Sequence, residues 1–427
     1  MANLFISLVL ATYINWYGIY LQETKIGFVK QIVEEKENLI KLSELTVMKL
    51  SMMGAERSMK SFAVYNLDRE YRIETYSFEF KTEQQRIISK GEVKDGKLLI
   101  TISTKEWQRK KSIDVGEGIY PPPAIPIIMS KVEKGTKKFK VFDPVLSDVE
   151  ETTSQVMYYR GDSIKIKTTI AGATVISWID KYGNVLRREE PGNILVIMEP
   201  ENKAIEVEEV VPEVVTLYAV PTEVRIKNPR EVKYLKVILN SKVIETERQK
   251  MKADTLEIRK LEPIYSKSSI KGYLDDTPLI QCKDKRIVAI ADSIVDDVSS
   301  TWEKVKRIID WVAYKIEDVP TASMPSALDV LQTRQGDCNE HAVLFTALAR
   351  AAGIPAQVVV GLVYMDGSFV YHAWSKVYVG RWVEVDPTFP QYIADATHIA
   401  LAEGELKDWA KIMDLIGKLK IEIIDYN

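Results

Sequence analysis

The sequence predicts an α+β protein: a large antiparallel β-rich region, then a domain in which a cysteine-bearing helix packs on an antiparallel sheet. Three observations carry this. Apolar and polar residues alternate with period two through SFEFKTEQQRIIS (77–89) and KLLITIST (97–104), with a KDG turn (94–96) between them. The composition changes near residue 285, where helical periodicity takes over. Beyond residue 338 a helix is followed by short strands joined by two-residue turns.

The chain's 427 residues exceed one ordinary core and suggest two or three domains. With 46% hydrophobic and 28% charged residues, it suits packed domains rather than disorder. A net charge of −3 offers no basic field for nucleic acid. No Walker or GxGxxG pattern and no zinc-spaced His/Cys cluster occurs, so no cofactor or metal is expected. Two cysteines, Cys282 and Cys338, cannot build a disulfide framework.

Residues 1–15 contain an apolar run, Leu4 to Ile14, broken only by Ser7 and Thr12. It is too short to span a bilayer. It is similar to the core of an export signal, although no Lys or Arg precedes it and no clear cleavage site follows. Export would place the protein outside the cytoplasm, in the periplasm or at a membrane or envelope reached through the N-terminus. A buried first helix or strand, and a cytoplasmic protein, is the other reading.

Residues 16–221 are expected to be the β-rich domain. KIKTTIAGATVISWIDKYGNVLRREE (165–190) supplies two or three strands around a Gly183-Asn184 turn. The prolines of YPPPAIPIIMS (120–130) exclude a central strand and fit the start of a helix over the sheet. Residues 26–45 and 153–170 enter strand-rich segments alike, which leaves two related halves open. Residues 222–280 read as a small β module or connector, from VRIKNPREVKYLKVIL (224–239) and ETERQKMKADTLEIRKLEP (245–263).

Residues 281–427 form the last domain. DKRIVAIADSIV (284–295) and STWEKVKRIIDWVAYKI (300–316) are helices, the second capped by Ser300 or Thr301 with Glu303 following. Its stripe of Val305, Ile308, Ile309 and Val312 is core. A short helix over 326–332 precedes a polar turn. The helix from Cys338 buries Val343, Leu344, Ala347 and Leu348 and stops at Gly353 and Pro355. Strands follow at 356–365, 368–379 and 382–388, linked by DG and GR turns.

This order places a cysteine at a helix N-terminus, a histidine on a strand and an aspartate at the end of the next strand. A thiol is a useful nucleophile only as thiolate. A helix N-terminus and a nearby imidazolium both favour that form, and unpaired backbone N–H groups at the helix start can receive an oxyanion. Strands about 4.8 Å apart can set Asp386 beside His372 to orient its ring. The candidate triad is therefore Cys338, His372 and Asp386. His341 shares a helix face with Cys338 and competes as base, but it is expected to pack or hydrogen-bond within the helix region. Gln332 and Gln335 are candidate oxyanion donors, or surface residues. Taken alone, Cys338 could be a small buried hydrophobe, His372 a core histidine and Asp386 a strand end.

The stretches GDCNEHAVLFTALARAAGIPAQVVVGL and FVYHAWSKVYVGRWVEVDPTF closely resemble the transglutaminase-like core of the papain-type cysteine superfamily, over roughly residues 285–400. The resemblance implies a Cys–His–Asp triad at Cys338, His372 and Asp386, and an assisting glutamine that would be Gln332. QYIADATHIAL (391–401) also looks like bacterial members, which makes His398 a candidate supporting residue; His341 and Trp374 are the other candidates for a supporting role. The N-terminal part resembles β-rich regions of bacterial envelope proteins. The expected function is hydrolysis of an amide in a protein or peptide, or acyl transfer, through a thioester. A catalytically inactive scaffold or binding module of the envelope is the alternative.

Overall fold

A computed structural model of the chain describes residues 9–427 except 171, 209, 265–269, 271, 322–325, 405–407 and 409. It divides into two compact units, Met1–Glu213 and Val214–Asn427.

The first unit is one antiparallel sheet of 14 strands. Its first wing holds β1 (Val9–Leu21), β2 (Thr24–Lys36), β3 (Ile40–Met52), β4 (Ala55–Leu67), β5 (Ile73–Lys81), β6 (Arg86–Lys94), β7 (Lys97–Ser103) and β8 (Gln108–Asp114). The second wing holds β9 (Gly135–Asp143), β10 (Asp148–Arg160), β11 (Ser163–Ile170), β12 (Ala173–Ile179), β13 (Val185–Glu190) and β14 (Ile194–Met198). Each wing is a meander, and β14 pairs with β1 to join them. Period-two alternation puts Tyr65, Tyr76, Phe78, Ile100 and Phe142 inside, all buried. Asp95 and Gly96 both take positive φ, as a two-residue hairpin between twisted strands requires.

Of the signal-like segment 1–15, residues 1–8 lie outside the described residues. From Val9 onward the chain is strand β1, paired along its length with β2. Helix α1 (Ala124–Met129) follows the proline run and buries Ala124, Ile125, Ile128 and Met129. The Gly183 turn lies against it: a Cβ there would sit 2.4 Å from the Ile127 Cα. The short helix α2 (Glu201–Ala204) packs on β1 and β2.

The second unit opens with α3 (Val214–Leu217) and β15 (Val220–Pro221). Next come β16 (Tyr234–Leu239), β17 (Gln249–Lys252) and β18 (Thr255–Arg259), then α4 (Lys285–Val295) and α5 (Thr301–Lys315). The two-residue strands β19 (Glu317–Asp318) and β20 (Gln335–Gly336) pair in parallel around α6 (Ala327–Thr333). The cysteine helix is α7 (Cys338–Ala351). β21 (Ala356–Met365), β22 (Ser368–Tyr378) and β23 (Trp382–Val385) are the expected hairpin and third strand. Two further strands, β24 (Ile399–Gly404) and β25 (Ile421–Tyr426), complete the unit. β25 pairs with β16, so the small sheet runs β17-β18-β16-β25. The last residues of the chain thus close the sheet of the 222–280 segment, a long-range pairing that carries no local signal.

Helix α7 is buried on every side from Glu340 to Arg350, not along one stripe. Helices α4, α5 and α6 cover one side of it and β21 and β22 the other. An all-round buried helix needs small or apolar residues everywhere, which FTALARAA provides. Its polar members are matched: Thr346 Oγ1 lies 3.1 Å from Ser375 Oγ, and Arg350 Nε donates to the Ala356 carbonyl at 2.9 Å.

The strand order of the larger sheet is β15-β22-β21-β24, with β23 also on β22. β15 covers the outer edge of β22 only at Ser368 and Phe369, and β23 only from Ser375 to Tyr378. Between them no strand among the described residues pairs with this edge. On the other side β21 meets β24 through a bulge at Val360/Gly361. Gly361 has no room for a side chain, because a Cβ would lie 2.0 Å from the Ile399 carbonyl oxygen and 2.9 Å from the Trp374 ring. Gly361→Ala should therefore destabilise the second unit by about 1–3 kcal/mol. Urea unfolding followed by tryptophan fluorescence checks this, and an unchanged midpoint would remove Gly361 as a packing constraint.

Candidate active site

The cysteine enters the site through its helix cap. Asp337 accepts from the Asn339 N–H at 3.0 Å, and Glu340 folds back to accept from the Asp337 N–H at 3.0 Å. This is a capping box. Gly336 permits it: a Cβ there would meet Glu340 Cβ at 2.1 Å. The box leaves the Cys338 N–H, first of the helix, with no acceptor among the described residues.

The Cys338 sulfur reaches the open edge of β22, where it accepts from the Ala373 N–H. The residue beside Ala373 is His372. The histidine itself is buried, 5% exposed at its side chain, with its ring stacked on Phe389 at 5.0 Å and near Trp374 at 6.0 Å. His372 Nε2 donates to Asp386 Oδ2 at 2.8 Å. That leaves Nδ1 as the nitrogen free for proton exchange.

Asp386 is fully buried. Its Oδ1 accepts from the Thr388 N–H at 2.8 Å and the Phe389 N–H at 3.2 Å, in the turn that Pro387 begins. Its Oδ2 accepts a second imidazole, His398 Nε2, at 2.9 Å. Burial would raise this carboxyl, but the two histidines and these hydrogen bonds outweigh burial and hold it far below the usual carboxylate range.

The expected thiolate does not follow from the surroundings of Cys338. Burial pushes the thiol well above its ordinary value, and the charges of Asp337, Glu340 and Asp386 push the same way. The Ala373 N–H opposes them but does not prevail. The capping carboxylates needed to start the helix thus lie beside the sulfur and favour its neutral form. The other thiol, Cys282, is buried and donates to the Leu274 carbonyl and Asp276 at 3.3 Å, and is pushed up to about 11 by burial first and Asp276 second.

The remaining candidates fall as follows. His341 is buried, and its Nδ1 lies 2.8 Å from the Asp337 carbonyl, within its own helix. Gln332 is exposed on α6. Gln335 is exposed, and its amide donates to Glu317 at 2.9 Å. Trp374 is buried beneath His372 and donates from Nε1 to Glu384 Oε2 at 2.9 Å.

Several residues of the site escape a sequence reading. Glu384, 5% exposed, is paired at 3.5 Å with Arg248, 4% exposed, from the start of the small sheet. Arg248 also donates to the carbonyls of Ala394 (2.9 Å) and Asp395 (2.6 Å), so it braces the loop that delivers His398. Asp395 and Arg230 lie in the same network, with Arg230 Nη1 and Asp395 Oδ2 at 3.0 Å. The pairings of Arg248 with Glu384 and of Arg230 with Asp395 join residues far apart along the chain, which no local pattern signals. His372, Asp386 and His398 each present one atom within 4.8 Å of the others, a spacing that could suit a metal ion. Here those atoms are already committed to hydrogen bonds with one another, which account for all three.

Residues 288–387 match the model of the transglutaminase-like superfamily. Kyphoscoliosis peptidase of Mus musculus is 28% identical over 172 residues, covering 35% of this chain and 24% of that protein. Kyphoscoliosis peptidase of Homo sapiens is 27% identical over 163 residues, covering 34% and 22%. The chain thus spans about a quarter of the length of these curated relatives. Among solved structures, a candidate cysteine protease from Cytophaga hutchinsonii is 18% identical with a TM-score of 0.32, covering 46% of this chain and 86% of that one. A β-barrel-like protein from Brucella abortus, a domain of unknown function, is 12% identical with a TM-score of 0.36, covering 48% and 100%.

Two outcomes follow from the site's electrostatics. A raised thiol is protonated at neutral pH, so alkylation of Cys338 by iodoacetamide should climb only above the ordinary thiol range of about 8.5. Mass spectrometry of the labelled chain measures it, and a rate already at its plateau near pH 7 would show a resting thiolate instead. Arg248→Met should cost about 3–5 kcal/mol in denaturant unfolding, because it strands Glu384 without its cation.

Proposed function

We propose that the transglutaminase-like domain carried by residues 288–387, with the segments that complete its site, is a cysteine-dependent amide hydrolase acting on a protein or peptide. The observation that carries this reading is the juxtaposition at the open edge of β22. The Cys338 sulfur takes the Ala373 N–H, and the neighbouring His372 is fixed by Asp386 at 2.8 Å.

In this reading Cys338 is the nucleophile and His372 the base. As the sulfur attacks the amide carbonyl carbon, its proton passes to His372 Nδ1, and the carbon–sulfur bond forms as the carbonyl becomes an oxyanion. The Cys338 N–H faces that developing charge. The oxyanion then collapses, the carbon–nitrogen bond breaks, and His372 gives its proton to the leaving amine. A thioester remains. Water, deprotonated by His372, attacks it, releasing the acid and returning the thiol. An amine in place of water would give transfer. Hydrolysis is favoured because two of the matched relatives are peptidases by name. The neutral thiol of the resting site suits a proton that leaves during attack rather than before it.

An envelope protein or peptide is the proposed substrate, and a location outside the cytoplasm is proposed from the apolar run Leu4–Ile14, whose second half, from Val9, is strand β1. No helix among the described residues is long and apolar enough to cross a membrane. A second reading, an inactive binding module, draws support from the burial and the neighbouring carboxylates that push the Cys338 thiol up.

Quenched-fluorescent peptide libraries incubated with the full chain separate the two. Cleavage should fall at least about a thousandfold in Cys338→Ala, an acyl adduct should appear on Cys338 after acid quench, and added cadaverine should divert only a minor share of product. Equal cleavage by Cys338→Ala would sink the enzyme reading. Peptide capture without turnover by the unmodified chain would favour the binding module.

A further inference from the structure

Asp386 serves two imidazoles through one oxygen, and the second imidazole has its own counter-ion system. His398 is fully buried. Its Nε2 lies 2.9 Å from Asp386 Oδ2 and its Nδ1 3.4 Å from Asp395 Oδ2. Nε2 makes a hydrogen bond, whereas Nδ1 is within ion-pair distance of Asp395 without hydrogen-bond geometry; a doubly protonated ring gives both carboxylates a positive partner. Asp395 is also fully buried, and its Oδ1 is taken by the Thr397 N–H at 2.7 Å and the Thr397 hydroxyl at 2.5 Å. Its Oδ2 faces Arg230 at 3.0 Å. The Arg230 guanidinium stacks over Phe389 at 4.7 Å, and Phe389 stacks on His372 at 5.0 Å. The contacts close a ring: His372, Asp386, His398, Asp395, Arg230, Phe389 and back to His372. Arg230, Asp395 and His398 all lie outside the stretch matched by the family model.

We propose that His398 is a positioning residue of this site, an imidazolium shared by Asp386 and Asp395 that fixes His372 in its Nε2–H tautomer and tempers the charge Asp386 turns toward it. The proposal rests on the reading of His372 as the base. Two carboxylates, Arg230 and one imidazolium sum to zero, so the buried cluster is neutral while His372 is uncharged. The charged and titratable groups facing His398 are Asp386, Asp395 and His372, with Arg230 behind Asp395 and Arg248 on the His398 carbonyl at 3.4 Å. Glu384 is matched by Arg248. Burial alone would pull His398 toward neutrality; Asp395 and Asp386 outweigh it and raise its proton affinity.

The consequence for His372 has a definite sign. A charged His398 competes for Asp386, so His372 holds its own proton less tightly and passes it on more readily to a leaving amine. Without that charge the full carboxylate faces His372, and its proton affinity rises.

The chain has three histidines, so long-range ¹H–¹⁵N spectra of the full chain labelled in histidine resolve each ring. Neutral-pH spectra of the unmodified chain should show His398 doubly protonated and His372 as the Nε2–H tautomer. In His398→Gln, which keeps an amide donor but no charge, the His372 titration midpoint should rise by about one unit. In Asp395→Asn, His398 should become neutral near pH 7. A neutral His398 in the unmodified chain overturns the proposal. So does an unmoved His372 midpoint in a folded His398→Gln chain. Should that variant fail to fold, the unmodified chain and Asp395→Asn still decide. These signatures need no turnover, so they stand or fall apart from the peptide-cleavage test of the enzyme reading.

Discussion

A carboxylate buried away from water must have its acceptor positions filled, and Asp386 has four donors: two backbone N–H groups and two imidazoles. The rest of the second unit is arranged around that requirement. The Asp386–Pro387 turn aims two amides at one oxygen. β22 brings His372 to the other, and the loop after β23 brings His398. Arg248 and Arg230, both from the first part of the unit, brace that loop through its carbonyls and through Asp395. A buried anion of this kind is costly on its own, and filling its acceptor positions with two amides and two imidazoles is what makes it tolerable.

The nucleophile obeys a different constraint. Its helix must begin at the sheet edge, and the capping box of Asp337 and Glu340 makes it begin there. The same two carboxylates lie next to the sulfur and oppose its ionisation. Placement and activation therefore pull in opposite directions. In the proposed reaction a base held at the adjacent strand position resolves the conflict by taking the proton only as the sulfur attacks. The open stretch of β22 between Phe369 and Ser375 is what lets sulfur and backbone meet.

Much of this was legible. Period-two alternation located strands such as β5 to β7, and the DG and GR turns delimited β21 to β23, because hairpins are read from neighbouring residues. The helix start at Cys338 and its stop at Gly353 were equally local. The all-round burial of α7 was harder, since Glu340 and Arg350 look solvent-facing until the neighbours that satisfy them are known, whereas His341 packs within the helix region as expected. Gln332 and Gln335 were left open as oxyanion donors or surface residues, and both are exposed: spacing from a cysteine says nothing about which way a side chain points.

Residue types and short-range order set the elements, their caps and turns, and the identity of a cysteine, a histidine and an aspartate on successive elements. Their electrostatics came from elsewhere. The raised proton affinity of the Cys338 thiol, the sharing of Asp386 by two histidines and the ring through Asp395 and Arg230 depend on contacts between residues up to about 165 positions apart along the chain. Long-range packing decided them, because desolvation and charge pairing act through space and are blind to sequence distance.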